Sequence, residues 1–141
     1  MKFDALSLIF EKLNQNLMEI IQPSTKGQEL QVYDIMSVEE VRVYENDQVG
    51  VVLNNMLWGD LLHVCVFNKH DELVGILHYN DARDIKHHSK KVEEIMTTEF
   101  EEIKGDVSAQ DGKLAVLKNR FNCLPVIENE QVIGILNIEN I

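Results

Sequence analysis

Apolar residues recur along the start of the chain at Phe3, Leu6, Phe10, Leu13, Leu17 and Ile20, at intervals of 3, 4, 3, 4 and 3. That spacing puts all six on one face of a helix, and Leu8, Ile9, Met18 and Ile21 widen the face. The pattern predicts a helix over 3–21, with Asp4 as its N-cap. Gln22-Pro23 ends it, because proline disfavours helical backbone in the residue before it. Residues 1–22 therefore read as an N-terminal amphipathic helix and 23–31, opening on Pro23-Ser24-Thr25-Lys26-Gly27, as a linker. The apolar seam lasts under three heptads, so it suits packing onto its own fold as well as pairing with a second chain.

From residue 32 the pattern changes to short apolar runs, and it repeats. Val32-Tyr33-Asp34-Ile35-Met36-Ser37 matches Val92-Glu93-Glu94-Ile95-Met96-Thr97 at an offset of 60. Cys65-Val66-Phe67-Asn68 matches Pro125-Val126-Ile127-Glu128 at 60, and Leu73-Val74-Gly75-Ile76-Leu77 matches Val132-Ile133-Gly134-Ile135-Leu136 at 59. The one-residue slip falls in a turn, where a deletion costs least. The repeats are bounded at 32–89 and 90–141. Each predicts a strand (Glu40 to Tyr44; Phe100 to Lys104), a helix (48–59; 107–121) and a hairpin of two strands (Leu62–Phe67 and Leu73–His78; Leu124–Ile127 and Val132–Asn137). The first repeat adds a helix over Asn80–His88; in the second, the sequence stops at Ile141, where that helix would begin. Units of about 50 residues cannot bury both faces of a sheet alone, so the two copies need each other. The fold class is mixed α/β.

Composition narrows the chemistry. The chain has 141 residues, with 13 Lys+Arg against 24 Asp+Glu, for a net charge of −11. That argues against nucleic acid and anionic membrane as partners, both of which need basic patches. Cys65 and Cys123 sit inside apolar runs and read as buried free thiols. No run reaches the roughly 18 apolar residues of a membrane span, and the start has no secretory pattern, so a reducing cytoplasm is the expected compartment. His63, His70, His78, His87 and His88 show no zinc spacing, and no metal site is expected. No nucleophile–base motif or phosphate-binding loop occurs, so no catalytic residue is assigned. Trp58 reads as a half-buried residue of the core or an interface, core being the first choice.

The order and duplication of Asp34-Ile35-Met36-Ser37 and Glu94-Ile95-Met96-Thr97, with Leu124-Pro125-Val126-Ile127 and Gly75-Ile76-Leu77…Asp81, resemble the CBS domain, and two in tandem resemble a CBS pair, or Bateman module. The resemblance covers roughly residues 32–141. It implies strand-helix-strand-strand-helix repeats packed as a pseudo-twofold pair, with the lead helix as an addition. It also implies clefts that in many members bind adenosine-containing ligands, and flat dimers.

Ligand-binding copies of that family often end the third strand with Gly-x-x-Ser/Thr-x-x-Asp, the carboxylate accepting from two ribose hydroxyls. A carboxylate is an acceptor-only group and suits such a diol. Here the first copy has His78 at the hydroxyl position and keeps Asp81; the second has Asn137 and Asn140. By the same resemblance Ser37 with His63 and Val64 would wall the first cleft, and Thr97 with Asn122 and Cys123 the second. The first cleft is the better candidate. The competing reading makes Asp81 a helix cap.

The expected function is a stand-alone regulatory module that senses AMP, ADP, ATP or an adenosyl compound and passes occupancy to an unidentified regulated protein. No cofactor is required. With so few basic residues, ATP should bind more weakly than AMP or an uncharged adenosyl ligand. The alternative is a structural, homodimerising module with vestigial clefts.

Overall fold

A computed structural model describes residues 8, 9, 11, 12, 29–38 and 42–141. Leu8, Ile9, Glu11 and Lys12 are helical; the rest of the predicted lead helix, its caps and most of the linker lie outside the described residues. In chain order the elements are α1 (Val32–Ile35), β1 (Val43–Tyr44), α2 (Val49–Gly59), β2 (His63–Phe67), β3 (Leu73–His78), α3 (Tyr79–Ala82), β4 (Ile103–Lys104), α4 (Ala109–Lys118), β5 (Cys123–Glu128) and β6 (Gln131–Asn137). Short 3-10 turns cover Ile85–His87, Val92–Glu94 and Ile138–Asn140.

The chain forms two compact units, Val38–Glu101 and the residues up to Ser37 together with Glu102–Ile141. Each holds one three-stranded sheet, ordered β1-β2-β3 or β4-β5-β6. The first two strands of each sheet are parallel and the last two antiparallel. A helix supplies the crossover that a parallel pair needs, α2 in one unit and α4 in the other. The strand-helix-strand-strand grammar read from the sequence is present in both copies.

The ends of elements follow local chemistry. The helix expected over 107–121 is confined to Ala109–Lys118. Ser108 caps its start, accepting from the Asp111 N–H at 3.1 Å. At the far end Asn119 leaves helical geometry and its side chain accepts from the Phe121 N–H at 2.9 Å. The helix expected over Asn80–His88 is broken. Asp84, in extended conformation, accepts from Lys86 N–H at 3.0 Å and restarts the chain as a 3-10 turn. The slip between repeats is the difference between two hairpins. The β5–β6 turn is the two residues Asn129-Glu130, with φ of 50° and 64°, the left-handed pair that matches strand twist. The β2–β3 turn is longer and is held by the Asn68 side chain, which accepts from the N–H groups of His70 and Glu72.

In the 38–101 unit Val49, Val52 and Met56 put one face of α2 onto Val64, Val66 and Leu77 of the sheet, with Val43, Ala82 and Val92 completing the core. The other unit buries Val32, Val116, Leu124, Val126 and Leu136. Cys65 and Cys123 are free and buried. Trp58 is 91% exposed rather than in the core. It faces outward because α2 already fills its inner face with Val49, Val52 and Met56.

Each repeat's opening segment crosses a glycine of a third strand at close range. A Cβ on Gly75 would lie 2.7 Å from Met96 Sδ and 3.0 Å from the Thr97 carbonyl oxygen. At Gly134 it would lie 2.6 Å from the Ser37 carbonyl oxygen and 2.8 Å from Met36 Sδ. Only glycine permits that approach. Ile76 and Thr97 exchange backbone hydrogen bonds of 2.9 and 2.8 Å, as do Ser37 and Ile135. The duplicated Ile-Met-Ser/Thr and Gly-Ile-Leu segments are thus two halves of one contact. The partners are exchanged: the first repeat's opening lies on β6, the second repeat's on β3.

Candidate functional site

That exchange redistributes the candidate residues. His63, Val64, His78, Asp81 and Thr97 belong to the 38–101 unit, and Ser37, Asn122, Cys123, Asn137 and Asn140 to the other. Ser37 therefore stands with the Asn137 and Asn140 set, and Thr97 with the His78 and Asp81 set, the reverse of the walls expected from sequence. Spacing along a chain carries no record of which strand a segment joins, so this could not be read in advance. The register makes a second change. His63 pairs with His78 as Cys123 pairs with Asn137, so Leu62-His63, not His63-Val64, corresponds to Asn122-Cys123. Val64 is a core residue, 4% exposed.

In the unit that ends at Ile141 the polar candidates are occupied by one another. Asn140 Oδ1 accepts from the Asn137 N–H and Asn137 Oδ1 from the Glu139 N–H, both at 2.9 Å. This reciprocal cap closes the 3-10 turn after β6. Asn140 Nδ2 then donates to Ser37 Oγ at 2.7 Å. Asn122 adopts φ 54° and donates through Nδ2 to the Val116 and Asn119 carbonyls, ending α4. Cys123 is buried in β5. Every one of these side chains has a structural task.

The other unit is built differently at the same place. His78 precedes α3 as its N-cap residue, with no side-chain capping bond, and Asp81 is the third helical residue. The Asp81 side chain is exposed, and no described residue donates a hydrogen bond to it. It is not a cap. Its backbone carbonyl meets the His87 ring Nδ1 at 2.7 Å. His63 and His78 are direct cross-strand partners, with ring centroids 5.0 Å apart and planes perpendicular. Burial pushes the His78 imidazole below the ordinary histidine value, and the Asp81 carboxylate opposes that shift. Thr97 lies against β3 through its backbone. Where β2 begins and β3 ends, the fold therefore presents the facing imidazoles of His63 and His78, with an exposed carboxylate three residues on whose charge acts on His78. Among the described residues no group of three or more His, Cys, Asp or Glu side chains converges as a metal site would. His88 is half-buried with Nε2 unbonded.

A depression of about 820 Å³, not foreseen from sequence, lies at the opposite end of β5 from Asn137. Glu102, Asp106, Glu128 and Glu130 line it with Lys104. The Tyr33 hydroxyl donates to Glu128 Oε1 at 2.5 Å, and that bond pushes the phenol up to about 12. Its carboxylates repel phosphates.

The model of the CBS domain matches residues 32–88 and 92–141. The chain belongs to the CBS domain family. Among solved structures, the CBS-pair protein CBSX2 from Arabidopsis thaliana superposes with a TM-score of 0.70 at 21% identity, covering 80% of this chain and 92% of that one. The CBS domain pair of protein MJ0100, solved with 5′-methylthioadenosine and S-adenosyl-L-methionine, gives 0.69 at 23%, covering 80% and 93%. In sequence, inosine-5′-monophosphate dehydrogenase of Methanocaldococcus jannaschii is 29% identical over 122 residues, 86% of this chain. The chain spans 24% of that enzyme's length. The two CBS repeats and their tandem order are thereby established. No helix among the described residues is long and apolar enough to cross a membrane.

Proposed function

We propose that this CBS pair is a non-catalytic regulatory module that binds an adenosine-containing ligand at the end of β2 and β3 and signals occupancy to a partner protein. Asp81 accepts from the ribose hydroxyls. The observation that carries the reading is the contrast between the open Asp81 carboxylate and the equivalent Asn140, tied to Asn137 and Ser37. A group that only held the fold together would be bonded as Asn140 is. The adenosyl ligands held by the CBS pair of MJ0100 support the ligand class. With a net charge of −11, the module should prefer adenosine, 5′-methylthioadenosine or AMP to ATP.

Titration calorimetry with adenosine, 5′-methylthioadenosine, AMP and ATP tests this. Asp81→Ala should weaken adenosine at least tenfold, the loss of about 1.4 kcal/mol expected for a charge-assisted hydrogen bond, with an unchanged melting temperature. Unchanged affinity in Asp81→Ala would remove the ribose role. A second reading, a homodimerising interaction module, is favoured by the exposed apolar side chains Val51, Leu57 and Trp58 on α2 with Ile85 nearby in sequence to α3. Light scattering of the parent and Trp58→Glu decides it: a dimer that dissociates on substitution supports that reading, and a monomeric parent ends it.

A further inference from the structure

Where the family resemblance expects a hydroxyl, this chain has an imidazole, and directly across the sheet it has another. Two like charges placed opposite each other on a sheet repel, so the His63–His78 pair takes up a second proton with more difficulty than a first. His63 faces His78 from β2, and along the chain His78 is followed by Tyr79 and Asp81 on α3, Arg83 just after it, and His87 and His88 in the next turn. Of these, the Asp81 carboxylate is the charge that acts on His78.

We infer that the His63–His78 pair makes this site proton-linked: an adenosyl ligand with an anionic 5′ substituent binds with uptake of up to one proton from solvent, and an uncharged one binds with none. The inference rests on the reading that Asp81 holds the ribose. His78 is the N-cap residue of the helix that carries Asp81, so a 5′ substituent directed along that turn meets His78 and, through it, its cross-strand partner His63. In the free protein Asp81 is the pair's negative neighbour. Once hydrogen bonds from ribose occupy it, an anion on the 5′ carbon supplies the charge that holds a proton on the pair. An uncharged substituent supplies none, and the rings stay neutral.

The probes are adenosine and adenosine 5′-sulfate, a monoanion throughout the working range; AMP is unsuitable, since a phosphate monoester itself titrates near pH 6. Affinities are measured by calorimetry from pH 8 to 6, in buffers of different ionisation heat. Adenosine 5′-sulfate should tighten as pH falls, by up to about tenfold per pH unit at the steepest, while adenosine stays within about twofold. His78→Thr should abolish the slope; His63→Phe, checked by thermal melting for a folded protein, should reduce it. Adenosine binding with a flat sulfate profile overturns the inference and leaves the ribose reading intact. A sulfate slope that persists in both variants also overturns it. If neither probe binds, the ribose reading fails and the inference goes with it.

Discussion

The contact between Ser37 and Gly134 can be tested by adding one methyl group. In Gly134→Ala the new Cβ lies 2.6 Å from the Ser37 carbonyl oxygen, whereas a carbon–oxygen contact needs about 3.3 Å. The opening segment must therefore retreat by about 0.7 Å, and Met36 Sδ at 2.8 Å must move as well. Overpacking of this kind costs about 1–3 kcal/mol. The retreat also strains the two backbone hydrogen bonds between Ser37 and Ile135, at 2.9 and 2.8 Å, each contributing about 0.5–1.5 kcal/mol. The expected loss is about 2–5 kcal/mol, or about 6–20 °C in melting temperature for a chain of this size. Gly59→Ala is the control. Its Cβ meets the movable Leu61 side chain at 3.1 Å and gains helix propensity, so its stability should change by less than about 1 kcal/mol. Thermal denaturation reads both, and hydrogen exchange at the Ser37 and Ile135 amides locates the change. A Gly134→Ala protein that melts within about 2 °C of the parent refutes the close-approach argument.

Three further outcomes are expected. Asn140→Ala removes the bonds to the Asn137 N–H and Ser37 Oγ and should cost about 1–2 kcal/mol by thermal melting, with adenosine affinity unchanged; a loss of affinity without destabilisation would move the site to that unit. Glu130→Gly relieves a left-handed φ of 64° and should raise stability by up to about 1 kcal/mol; a lower melting temperature would show that the turn is not strained. Stability should fall as pH drops below 6.5. His78 titrates lower in the folded protein than in the unfolded chain, so the unfolded state binds the extra proton in the window between its ordinary value and the folded one. Melting curves from pH 7.5 to 5.5 should show that part of the slope vanish in His78→Thr, and parallel curves would disprove it.

Secondary structure was legible because its causes are local. The strands at Leu73–His78 and Val132–Asn137 follow from apolar runs bounded by polar turns, and α2 ends near Gly59 where Asp60 takes a left-handed conformation. The misplacements are at positions decided by distant residues. Val64 looked like part of a cleft wall, but the pairing register turns it into the core. Trp58 looked like core because it is large and apolar, but helical phase points it to solvent.

The candidate site divides along the same line. Asp81 and the departures at His78, Asn137 and Asn140 were visible as residue types at set spacings, and so was the recurrence of an Ile-Met-Ser/Thr and a Gly-Ile-Leu in the same order in each repeat. By itself the amino-acid order determined the duplicated units, their elements and the acceptor chemistry of one carboxylate. Tertiary structure decided that the opening segments exchange strands, that Asn140 is closed by Ser37 while Asp81 stays open, and that two histidines face each other. The reason is range. Periodicity, turns and caps are settled within a few residues, whereas the choice between two nearly identical strands depends on contacts up to about a hundred residues apart, such as the hydrogen bond from Asn140 to Ser37 across 103 positions.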